Sequence, residues 1–111
     1  MAITVGIELG YEFNVKARPD AVFAYNDSTA MTAIEYCREQ GLRVPEDIRF
    51  VGYDDIEAAA HCKPPHTTVK MDKEALGYVA ARALIEGDVA PNDASLPVEL
   101  VVRESSVRTP A

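Results

Sequence analysis

A strand–helix–strand pattern constrains this chain more than any other feature. Residues 21–25 form a short apolar run without strict alternation, which suits a strand buried in a parallel sheet. Asn26-Asp27-Ser28 ends the run, and Ser28 or Asp27 is placed to cap a helix. Ala30, Met31, Ala33, Ile34 and Cys37 then recur at helical spacing until Gly41, a fitting C-terminal cap. A second β-favouring run at 48–53 closes on Asp54-Asp55. Such a crossover sets its strands parallel with both C-termini at one sheet edge, so the two polar endings are expected to face one crevice. The fold class is therefore α/β, a parallel sheet with flanking helices.

Residues 56–62 are rich in Ala and are expected to make two helical turns before Pro64-Pro65 stops them. An extended stretch follows at 66–70. Asp72 is placed to cap the clearest helix, whose stripe Ala75, Leu76, Val79, Ala80, Ala83 and Leu84 ends at Gly87. Residues 90–95 read as a loop, after which Val98, Leu100 and Val102 alternate with Glu99 and Arg103 as a last strand. At the start, Ile3, Val5, Ile7 and Leu9 alternate as in a strand, while Ile3, Ile7, Gly10 and Phe13 leave a helical stripe. The division adopted is an N-terminal helical segment at 1–18, a domain at 19–105 and a frayed tail at 106–111.

At 111 residues and 48% hydrophobic, the chain has room for one compact domain. Eighteen acids against eleven bases give a net charge of -7, which argues against direct nucleic-acid contact, because phosphates are held by clustered Lys and Arg. No apolar run approaches the roughly 20 residues of a bilayer span, and no basic start precedes an apolar run as in a secretory signal. A cytoplasmic protein without a membrane partner is expected. Cys37 and Cys62 lie far apart in sequence and read as free packing residues.

In open parallel sheets, ligands bind at the carboxyl ends of the strands. Asn26, Asp27, Asp54 and Asp55 are the polar groups delivered there. A carboxylate accepts from hydroxyls and an amide both donates and accepts, so the set suits a neutral polyhydroxylated ligand such as a sugar. Helix and turn capping by the same residues is the competing reading, and it explains Asp27 or Ser28 better than the Asp54-Asp55 doublet. His61, Cys62 and His66 match no standard zinc spacing, and Lys63-Pro64-Pro65 is expected to hold them apart, so no metal or other cofactor is assigned. Neither cysteine lies in a recognisable activating arrangement. No catalytic residue is assigned, and an enzyme is not expected.

Five phrases carry a family resemblance. They are Arg-Pro-Asp-Ala-Val-Phe-Ala-Tyr-Asn-Asp from Arg18, Gly-Leu-Arg-Val-Pro-Glu-Asp-Ile from Gly41, Val-Gly-Tyr-Asp-Asp-Ile from Val51, Pro-Pro-His-Thr-Thr-Val from Pro64 and Val-Val-Arg-Glu-Ser from Val101. In that order and spacing the chain resembles the lactose and galactose repressor family, specifically the C-terminal part of its periplasmic-binding-protein-like effector domain. The resemblance implies the C-terminal lobe of a type I two-lobed fold, incomplete here, with a sugar or nucleoside-type effector in the cleft. It carries effector contacts onto Asn26 and Asp54, with Asp27 and Asp55 as further candidates. It also implies a homodimer or higher oligomer, with Met31 and Cys62 at the dimer interface, although Met31 equally reads as core packing. Met71 departs from the polar residue that many relatives place after the Thr-Thr-Val crossover.

By the same resemblance the helix at 72–87 belongs to the other lobe, so its apolar stripe is expected to pack on this chain's own sheet or to exchange with a second copy. The expected function is a fragment of a sugar-responsive transcriptional regulator, the effector-sensing and dimerisation lobe without the DNA-binding headpiece. Two alternatives stand beside it. One is a truncated product with no ligand binding of its own. The other is a phosphoacceptor signalling domain, in which Asp27 and Asp54-Asp55 imitate a magnesium-binding cluster and Lys70 follows a later strand.

Overall fold

The computed structural model describes residues 2–5, 19–87 and 95–108. Its centre is the anticipated crossover: strand β2 (Ala21–Ala24), helix α1 (Asp27–Glu39) and strand β3 (Arg49–Val51). Strand β1 (Ala2–Val5) precedes them, and the sheet order is β1-β2-β3, parallel throughout. The helix assigned to 1–18 is thus corrected at its start, where Ala2 to Val5 pair with Ala21 to Ala24. The exposed edge of β2 leaves backbone groups unpaired, and a strand satisfies them where a helix cannot. Residues 6–18 and the loop expected over most of 90–95 lie outside the described residues.

Helix α1 begins at Asp27 because Asn26, not Asp27 or Ser28, is its cap: Asn26 Oδ1 accepts from Thr29 N at 2.8 Å. It ends at Gln40, followed by Gly41 at φ +79°, a backbone angle that suits glycine. The buried face of α1 supplies Ala33, Ile34 and Cys37, which pack on Val22, Ile48 and Phe50, with Leu42 and Val44 closing the side. Burying a side chain such as Ile or Phe contributes about 1.5–3 kcal/mol. This one cluster therefore fastens the helix to the sheet.

The second half of the chain leaves the sheet. Residues 57–60 form one 3-10 turn in place of two α-helical turns. Thr67 bridges Val51 in parallel, and Gly52 N and Asp54 N donate to Thr67 O and Val69 O at 2.8 and 2.9 Å. Strand β4 (Thr68–Met71) then departs and pairs antiparallel with β5 (Val98–Val101). Between them runs helix α2 (Lys73–Glu86), capped by Asp72 Oδ1 on Ala75 N at 2.9 Å and closed by Gly87 at φ +70°.

Helix α2 buries no residue, and Leu84 and Ile85 are 85% and 84% exposed. The expectation that its stripe packs on the same chain's sheet is therefore corrected. The β4–β5 pair carries the helix away from the main sheet, so sequence amphipathicity meets no burying surface among the described residues. The return is firmly tied at 104–106, where Ser105 Oγ donates to Phe50 O at 2.7 Å and accepts from Thr67 N at 2.9 Å. Arg108 Nε reaches Pro45 O at 3.1 Å, so the tail expected to fray from 106 is anchored as far as 108. No helix among the described residues is long and apolar enough to cross a membrane.

Candidate functional site

The crossover does bring the two polar endings together. Asp27 N donates to Tyr53 O at 2.9 Å, and Asp27 Oδ2 accepts from Ile56 N at 2.8 Å. The roles within the group diverge, however. Asp27 is fully buried, and its Oδ1 accepts from Thr68 Oγ1 at 2.6 Å. His66 Nε2 approaches the same oxygen at 2.9 Å, off the line of a good hydrogen bond. The carboxylate thus joins the start of α1, the Asp54-Asp55 turn and β4, and has no face left for a ligand.

Asp54 and Asp55 stand differently. Both take positive φ, +107° and +52°, a region in which Asp is tolerated better than most side chains. Asp55 Oδ1 accepts from Arg103 Nη2 at 2.9 Å, and Arg103 Nη1 reaches His66 O at 3.2 Å. Its backbone N–H donates to Thr68 Oγ1 at 3.2 Å. The carboxylate of Asp54 has no hydrogen-bond or ion-pair partner among the described residues.

A cleft of about 640 Å³ opens beside this turn, lined by Asp54, Asp55, Lys70, Met71, Asp72, Lys73, Pro97, Val98 and Glu99. Asn26 does not line it, and its Oδ1 is occupied by the α1 cap. Met31 and Cys62 are both half-buried at the surface of the chain. Among the described residues no group of three or more His, Cys, Asp or Glu side chains is arranged to hold a metal ion. Yet Lys63-Pro64-Pro65 does not separate Cys62 from His66 as expected, because the turn folds back and sets Sγ 3.2 Å from Nδ1.

Several residues here escape a reading of the sequence. Gly52 is needed because a Cβ there would meet Asp27 Oδ1 at 2.2 Å. Thr68, Ser105 and Arg103 work through partners 13 to 55 positions away. Of these, only the cluster of hydroxyls in Thr67-Thr68 and Ser105-Ser106 offers any signal in the sequence.

A parallel sheet whose strand ends meet a cleft, with a strand pair crossing out of it, defines part of a two-lobed α/β domain of the periplasmic-binding-protein-like kind. The family model for the periplasmic binding protein-like domain matches residues 4–106, and the chain belongs to that family, in its lactose and galactose repressor branch. The HTH-type transcriptional repressor PurR of Aliivibrio fischeri is 46% identical over 69 residues, covering 62% of this chain and 20% of PurR. The HTH-type transcriptional regulator CelR of Thermobifida fusca is 42% identical over 90 residues, covering 78% of this chain and 26% of CelR. The chain thus spans about a fifth to a quarter of these curated relatives.

Among solved structures, the lac repressor dimer bound to operator and an anti-inducer superposes with a TM-score of 0.75 at 37% identity, covering 86% of this chain and 34% of that one. A CelR–cellobiose complex gives 0.70 at 29% identity, covering 90% and 39%. These relatives are transcriptional regulators rather than enzymes.

Proposed function

We propose that this chain is the effector-sensing and dimerisation portion of a sugar-responsive transcriptional regulator, a binding module rather than an enzyme, with a sugar or nucleoside-type effector in the cleft beside Asp54. The observation that carries this is the Asp54 carboxylate itself: unpartnered, at the cleft, on a strained backbone whose N–H is tied to Val69 O at 2.9 Å. Strain of this kind persists where the surroundings hold it, and it is frequent at ligand sites. Such a carboxylate accepts hydrogen bonds from ligand hydroxyls. Asn26, which caps α1 outside the lining of this cleft, is assigned a contact through its amide nitrogen to the part of the ligand that extends past Asp54, and Asp55 positions the turn through Arg103. Asp27 is assigned to the scaffold instead.

Thermal shift and calorimetry on the 111-residue chain with a panel of mono- and disaccharides and nucleosides test the proposal. One class is expected to stabilise the chain, and Asp54→Ala is expected to weaken that ligand about tenfold or more, the loss of one hydrogen bond to a charged group. A panel without effect on the wild-type chain would instead support a product with no binding of its own. Magnesium-dependent labelling by a small phosphodonor would favour the phosphoacceptor reading.

The dimer interface is assigned to the half-buried Met31 and Cys62, supported by the dimeric structure of a relative. A second copy also gives α2 a partner for Leu76, Leu84 and Ile85, which are otherwise exposed. Sedimentation at micromolar concentration should show a dimer or larger species. A folded monomer at every concentration would sink this reading.

A further inference from the structure

Cys62, His66 and Asp27 form a line from the surface to the interior. Cys62 Sγ is 3.2 Å from His66 Nδ1, and His66 Nε2 is 2.9 Å from Asp27 Oδ1. His66 and Asp27 are fully buried, whereas Cys62 is half-buried. We propose that Cys62 is a modification site, an exchange-active thiol that takes low-molecular-weight disulfides, with His66 as its base and Asp27 as the positioning residue for the ring.

Three acceptors surround the thiol: Pro64 O at 3.2 Å, Ala59 O at 3.5 Å and His66 Nδ1. The two carbonyls can share the proton in a hydrogen bond, but only the imidazole nitrogen can remove it. Asp27 selects the ring form that makes this work. Fixed by Thr68 Oγ1 and Ile56 N, its carboxylate favours a proton on Nε2 and leaves the Nδ1 lone pair toward sulfur. The imidazolium formed on proton transfer then lies between a thiolate and a carboxylate, which offsets its burial.

The exchange balances within these groups and the disulfide. The Sγ–H bond breaks as the proton moves to Nδ1, and the thiolate attacks one sulfur of the small disulfide. A Cys62 mixed disulfide forms, the old S–S bond breaks, and the departing thiolate takes the proton back from His66. Cys37 supplies a control inside the same chain. It is fully buried, and burial pushes its thiol up to about 11.

The test uses oxidised glutathione on the folded 111-residue chain, with mixed disulfides mapped by mass spectrometry at successive dilutions. Dilution makes any masking of Cys62 by self-association visible as a concentration-dependent rate. Cys62 is expected to react about tenfold or more faster than Cys37, and faster in the native chain than in urea despite its partial burial. His66→Leu removes the base while filling much of its buried volume and is expected to lower the Cys62 rate about tenfold, with Asp27→Asn acting in the same direction. In both variants the readout is the ratio of the Cys62 rate to the Cys37 rate, since mere loosening of the fold would raise both rates while loss of the base lowers Cys62 against Cys37. A native Cys62 rate at or below the urea rate at every dilution overturns the proposal, as does an unchanged ratio in His66→Leu.

Discussion

Asp27→Ala is expected to lower the stability of the domain by about 3–5 kcal/mol in urea unfolding, most of the stability of a small domain. The carboxylate is fully buried and takes the Thr68 hydroxyl and the Ile56 N–H, with His66 Nε2 alongside. Truncation leaves these groups without a partner in a space closed to water, and each orphaned buried group costs about 1–3 kcal/mol. Asn at the same position keeps the volume and one acceptor oxygen, so its loss should be about half as large. A change below about 1 kcal/mol for the Ala variant would mean that water replaces the carboxylate and that Asp27 does not hold β4.

Gly52→Ala is expected to be nearly as damaging, at about 3 kcal/mol, although it adds a single methyl group. The new Cβ would lie 2.2 Å from Asp27 Oδ1 and 3.2 Å from Asp27 Cα. The backbone of Asp27 cannot retreat, because its N–H is bonded to Tyr53 O. The carboxylate must swing instead, which breaks its contacts to Thr68 and His66 together. It follows that the two substitutions share one cause and should not add. In a double-mutant cycle, Gly52→Ala on top of Asp27→Ala is expected to cost at least 1 kcal/mol less than it does alone. Full additivity would place the damage at Gly52 elsewhere.

Much of the fold was legible because it rests on local rules. The parallel strands around α1 follow from two apolar runs bracketing a helical stripe, and the ends of both helices from Gly41, Asp72 and Gly87. The site was legible only in outline. Asn26 and Asp27 are neighbours, and the sequence offers Asn26 to the ligand and Asp27 or Ser28 as the cap, yet Asn26 caps α1 at the sheet edge and Asp27 is driven inside by partners at 56, 66 and 68. Likewise, Cys62 and His66 are four positions apart across two prolines, and only the turn geometry sets sulfur against nitrogen.

The strand–helix–strand crossover and its five family phrases were determined by the sequence alone, because hydrophobic period, caps and turn residues act over a few neighbours. Which carboxylate faces the cleft, which one builds the scaffold, and where α2 is left exposed were decided only by the tertiary structure. Those outcomes depend on long-range pairing and on burial, which give chemically equal side chains unequal surroundings.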